Sequence, residues 1–143
     1  MANRLKVSLL LILAIGLFDQ LTKYIVFLFK FNFEVFPFLS IQLIKNTGSA
    51  FGVLKNSNRI LLFLGILLLG WGLLKHESLL KGRDWWAYVM VGGGILGNSL
   101  DRLFHGFVID YINFSLWPAF NVADSALTIG IGALLLYALL QKS

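Results

Sequence analysis

Asp110 and Asp124 are the residues whose type and spacing bear most directly on chemistry. Thirteen residues, Tyr111 to Ala123, separate them, enough chain to turn back and bring the two carboxyl groups together. Two carboxylates sharing one site cannot both ionise easily, so one keeps a proton near neutral pH. One acid can then activate water as a general base while its protonated partner polarises a peptide carbonyl or feeds a leaving amine. The same residues also admit quieter readings. Asp124 follows Asn121 by three positions, the pattern of a helix N-cap with an acid in the first turn, and Asp110 fits an acid in an interfacial loop.

The remaining polar residues fall into two helical sets. Asp19 and Lys23 stand four apart on one face, in the order that favours an ion pair; a neutralising structural pair is the simpler reading of them. Asn98, Asp101, Arg102 and His105 line one face of a later segment, and that face must point inward. A buried arginine needs acceptors, and Arg102 is read as holding acids. Other chemistries are poorly supplied. Ser49, Ser99 and Ser125 lack the turn that exposes a nucleophile, and the histidines are His76 and His105 alone. Asp101 and His105 have i, i+4 ligand spacing but no third good ligand, so no metal site and no cofactor are expected.

These groups sit in a chain that is 58% hydrophobic and 13% charged, far from a soluble domain with roughly 25% charged residues. An integral membrane protein is expected. The absence of cysteine excludes disulfides and thiol catalysis, and a scattered net charge of +5 excludes a nucleic-acid-binding patch. The basic, apolar N-terminus has the outline of a signal peptide, but no small-residue cleavage site closes it, which favours an uncleaved first span. Four spans, about 7–29, 60–74, 85–104 and 122–140, form an all-α membrane protein of one domain. Lys and Arg divide evenly between the two sides. The short positive loop from Lys75 to Asp84 settles the orientation, with both termini cytoplasmic.

Between the first two spans, about 31–56, lies an extracytoplasmic segment of aromatic and β-branched composition, read as a small extended platform at the interface. Phe31, Phe33 and Val35 give it one apolar face. It ends in Asn46-Thr-Gly-Ser-Ala-Phe-Gly52, either a tight turn or a strip of backbone able to hold an extended peptide. Gly92, Gly93, Gly94 and Gly97 are expected to let neighbouring helices approach the third span closely.

In order along the chain, Asp19-Gln20 with Lys23, Asn46 through Gly52, Gly97-Asn98 with Asp101-Arg102, Gly106, Val108 through Ile112, and Phe120 through Ser125 together resemble the bacterial lipoprotein signal peptidases, the signal peptidase II family. The resemblance implies an intramembrane aspartic endopeptidase of the bacterial inner membrane. Its substrate would be a prolipoprotein, cut just before a cysteine that carries diacylglycerol, with the active site near the extracytoplasmic face. It puts a catalytic dyad on Asp110 and Asp124, and polar supports on Asn46, Gly48, Asn98, Arg102 and Asn121, with Asp19 and Lys23 in the first-helix motif. The expected partners are that substrate and membrane lipid, with the enzyme a monomer. The competing reading is a small ion or proton transporter with Asp19, Asp101, Arg102 and Asp124 as a relay, although the halves show no similarity to each other. A noncatalytic scaffold is the third reading.

Overall fold

The protein is described by a computed structural model covering residues 2–48 and 56–141. The chain runs α1 (Ala2–Phe29), β1 (Asn32–Phe36), β2 (Leu39–Asn46), α2 (Asn58–Leu74), a short α3 (His76–Leu79), α4 (Trp85–Phe104), β3 (Val108–Phe114), β4 (Trp117–Phe120) and α5 (Val122–Leu140). Among the described residues, two helices, α1 and α5, are long and apolar enough to cross a membrane, and α2 is apolar but shorter. α4, the remaining expected span, carries Asp101 and Arg102 near its end and buries more residues than any other helix described.

The distribution of polarity is inverted relative to a soluble protein. Lys23, Asp19, Asp101, Asp110 and Asn121 are among the most deeply buried side chains, while Leu10, Leu17, Phe18, Leu135 and Leu139 are exposed on α1 and α5. Such helices suit a lipid solvent, in which apolar surface has no need to hide and polar groups must find partners inside.

Helix α4 is the axis of the bundle. α1 runs alongside it in the same direction, placing Ile12 over Gly92, Ile15 over Gly93 and Asp19 over Gly97. α5 runs the opposite way, with Ala123 and Leu127 on Gly94 and with Gly130 against Ala87 and Val91. A Cβ on Gly94 would collide with the Ala123 carbonyl oxygen and approach Leu127 Cγ to 2.7 Å. Backbone cannot yield as a side chain can. Gly94→Ala is therefore expected to destabilise by about 1–3 kcal/mol or more, whereas Gly132→Ala, with nothing within 4 Å, should leave the melting temperature nearly unchanged; thermal unfolding in detergent checks both.

The four strands form one antiparallel sheet in the order β1-β2-β3-β4. It caps the end of the bundle where α1 and α4 finish and α5 begins. The chain leaves α4 through Gly106, whose φ of +74° is open to glycine without strain. The sheet is larger than the sequence suggests: the 31–56 segment supplies β1 and β2, but β3 and β4 come from the stretch read as a loop. Val108, Ile109, Asp110 and Tyr111 are all buried, so β3 is covered on both faces and lacks the alternation that marks a half-exposed strand. β1 departs in the other direction, exposed at every position, so its apolar face is not covered. Val26, Ile109 and Tyr111 form a small apolar core where α1 meets the sheet.

Candidate active site

Four elements deliver the polar groups to one place. β2 pairs with β3 so that Asn46 lies opposite Val108 and Ile44 opposite Asp110. Asp110 is thus a diagonal neighbour of Asn46 on the same face, and Asn46 Nδ2 donates to Asp110 Oδ2 at 2.8 Å. The other oxygen, Oδ1, accepts from Asn121 Nδ2 at 2.7 Å. Asp110 is a buried strand residue, not a loop acid.

Asp124 arrives on the first turn of α5. Asn121 is the N-cap, its side chain accepting from the Asp124 N–H while Asp124 Oδ2 accepts from the Asn121 N–H, a capping box. The capping reading therefore holds, and it leaves Asp124 Oδ1 free to accept from Asn98 Nδ2 of α4 at 2.7 Å. Asn121 consequently touches both acids: its amide nitrogen meets Asp110 and its backbone N–H meets Asp124.

Each of three asparagines is fixed the same way round. The side-chain oxygen of Asn46 accepts from Gly48 N–H, that of Asn121 from Asp124 N–H, and that of Asn98 from Lys23 Nζ and Asn121 Nδ2. All three therefore turn their NH2 groups toward an acid. Burial first and the charge of Asp124 second push the Asp110 carboxyl up from 3.8 to about 7, against the amide donors of Asn46 and Asn121, which pull it down.

Behind the pair lies a second polar cluster. Lys23 Nζ is 2.7 Å from Asp19 Oδ2 and 3.0 Å from Asp101 Oδ2. Asp19 Oδ1 accepts from the Ala123 N–H, tying α1 to the start of α5, and Asp101 Oδ2 accepts from the Ile109 N–H, tying α4 to β3. Gln20 Nε2 reaches Asp101 Oδ1 at 2.9 Å and the Gly97 carbonyl at 3.1 Å. The expected Asp19–Lys23 pair is present, and Asp101 joins it.

Two expectations change. Arg102 donates to the carbonyl oxygens of Gly48 and Asn98, and among the described residues it makes no ion pair; its guanidinium holds backbone from β2's end to α4, with Asp124 and Asp110 in its field. Lys23 is the cation that pairs with acids: inside the bundle it meets Asp19 of its own helix and Asp101 of α4. His105, read as part of the inward face, is exposed at the C-cap of α4, against the rings of Phe27 and Phe107.

A cavity of about 610 Å³ opens beside the pair, bordered by Asp124, Asn98, Arg102, Asn46 and Gly48 and by all four residues of β4. Asp124 faces it, whereas Asp110 is only 1% exposed. β4 was not anticipated as a wall of the site, although Trp117-Pro118 after Ser115 marks a turn and a new strand. The strip after Gly48, from Ser49 to Gly52, lies outside the described residues.

A mainly helical membrane protein with a small antiparallel sheet over one end is the class that this fold defines. Residues 11–140 match the family model of Signal peptidase (SPase) II, and the chain belongs to that family. It is 40% identical to a lipoprotein signal peptidase of Thermodesulfovibrio yellowstonii, over 95% of this chain and 94% of the relative. It is 38% identical to one of Burkholderia thailandensis, over 99% of this chain and 90% of the relative. A bacterial membrane enzyme solved by the in meso method at 2.3 Å superposes with a TM-score of 0.87 at 31% identity, covering 96% of this chain and 90% of that one.

Proposed function

We propose that this signal peptidase II is an aspartic endopeptidase that removes the signal peptide of bacterial prolipoproteins, cutting before a diacylglyceryl-modified cysteine. The observation that carries the reading is the amide cage: two acids from different elements, bridged by Asn121, with Asp124 at the wall of a cavity and Asp110 buried behind it. Asp124, facing the cavity, is the general base; Asp110, buried and holding its proton up to about pH 7, is the acid.

The steps balance as follows. Asp124 takes a proton from water as the oxygen attacks the scissile carbonyl carbon, and the Asp110 proton passes to the carbonyl oxygen. The tetrahedral intermediate collapses, the C–N bond breaks, and the amine of the lipid-bearing cysteine leaves with the proton held by Asp124. The oxygen-bound proton returns to Asp110 as the carboxyl product forms.

In this reading α1, α2, α4 and α5 all span the inner membrane, with both termini cytoplasmic and the sheet at the outer face. The cavity continues along α5 past Leu127, Thr128 and Ile129, and Thr128 and Ile129 are exposed there. Acyl chains can thus enter from lipid while water reaches Asp124 from the sheet end. Purified enzyme in detergent, offered diacylglyceryl-modified and unmodified precursor in parallel, is expected to cleave the modified form. Folded enzyme that leaves it intact would sink the reading.

The pH dependence has a defined sign. A carboxyl raised from 3.8 to about 7 is protonated below that value, so turnover is expected to fall as pH rises through about 7. Folding stability follows the same direction: the contribution of Asp110 is complete below 3.8 and is lost as pH rises toward about 7. A pH–rate profile on the lipidated precursor that stays level from pH 6 to 9 would contradict the assignment of the proton to Asp110.

A further inference from the structure

The cleavage steps assign no work to Lys23, yet its side chain is 1% exposed and fully engaged. Three N–H bonds meet three acceptors: Asp19 Oδ2 at 2.7 Å, Asp101 Oδ2 at 3.0 Å and Asn98 Oδ1 at 3.1 Å. The first two contacts neutralise charge. The third does not, because Asn98 is uncharged.

A carboxamide has an acceptor end and a donor end of nearly the same shape. At Asn98 one end receives both the Lys23 ammonium and the Asn121 NH2, and two donors can share only an oxygen. The NH2 group is therefore left facing Asp124 Oδ1, at 2.7 Å. Reversed, the amide would set its NH2 against an ammonium and its oxygen against a carboxylate. No other residue on α1 reaches Asn98 among the described hydrogen bonds.

We propose that Lys23 is a positioning residue for peptide cleavage: it holds the Asn98 carboxamide in the one orientation that donates to Asp124, and so aims the base at the cavity. The same arrangement orients metal-bound histidines through outer partners, where loss of the partner costs 10- to 100-fold in function. This role rests on the dyad reading above and adds a residue to it. The salt cluster then has two separable duties, neutralisation through Asp19 and Asp101 and orientation through Asn98.

The test separates those duties. Lys23→Met is made together with Asp19→Asn and Asp101→Asn, so that no buried charge loses its partner and the bundle stays folded. With lipidated precursor in detergent, kcat is expected to fall about 100-fold with KM within about twofold of wild type, at a melting temperature near wild type. On an Asn98→Ala background the same three substitutions should lower kcat no further, because the group through which Lys23 acts is already gone. Wild-type kcat in the folded triple variant, or a full additional loss on the Asn98→Ala background, would overturn the proposal.

Lys23→Gln in the same Asp19→Asn, Asp101→Asn background supplies a second variant that keeps an N–H donor. It is expected to retain more kcat than the Met variant, by about tenfold; equal losses at equal melting temperature also count against the orienting role. Asp124→Asn is assayed alongside. If it is fully active the dyad itself is wrong, whereas an inactive Asp124→Asn beside a fully active Met variant removes only the role of Lys23.

Discussion

Asp110→Asn and Asp124→Asn are each expected to lower turnover of a lipidated prolipoprotein by about 10³-fold or more, with the protein still folded. The proposed chemistry needs one carboxylate to accept a proton from water and one carboxylic acid to give a proton to the carbonyl oxygen. A carboxamide does neither. The two variants should also be no worse together than apart, since either one stops the same proton circuit.

The effect on stability is the control that gives this result its meaning. Each acid accepts two N–H donors: Asp110 from Asn46 and Asn121, Asp124 from Asn98 and the Asn121 backbone. An asparagine keeps only one accepting oxygen and turns an NH2 toward the other donor, which costs about 1–3 kcal/mol. Against that, a charge no longer has to be buried at Asp124, nor at Asp110 once the pH passes about 7. The opposed terms leave the melting temperature close to wild type, so inactivity cannot be put down to unfolding. Near wild-type rates in both variants would remove the dyad assignment.

Lys23→Met alone carries the second large effect, on stability. It leaves Asp19 and Asp101, both fully buried, without the cation that lies 2.7 and 3.0 Å away. Removing one partner of a buried ion cluster costs about 3–5 kcal/mol, a large share of the stability of a small domain. Thermal or denaturant unfolding in detergent should show it plainly. Adding Asp19→Asn and Asp101→Asn should restore most of the loss, because a neutral polar cluster no longer holds stranded charge. A melting temperature for Lys23→Met equal to wild type would mean that the acids are protonated and need no cation.

Much of this was legible in the chain, for physical reasons that can be named. Four apolar stretches at helical length announced α1, α2, α4 and α5, and glycines 92, 93, 94 and 97 announced the close contacts that α4 makes on both sides. The Asp19–Lys23 pair followed from i, i+4 spacing. β3 was missed because alternation is the signature of a strand with one wet face, and Val108 to Tyr111 has none. Arg102, read as holding acids, meets the carbonyls of Asn98 and Gly48 instead, since charge type alone cannot say whether a guanidinium will find carboxylates or backbone. The amide orientations were wholly out of reach: they depend on donors from α1, β2, α4 and α5 converging, a relation that no local spacing encodes. The family motifs named Asn46, Asn98 and Asn121 without saying which way each would turn.

The capping box at Asn121 ties this geometry to the birth of the protein. Asp124 and its bridging asparagine belong to the start of α5, while Asp110, Asn98, Asn46 and Lys23 all precede it along the chain. A nascent chain with α5 not yet in the membrane holds only half of the proposed dyad. In the proposed dyad, cleavage therefore waits for α5 to be inserted and its first turn to be capped.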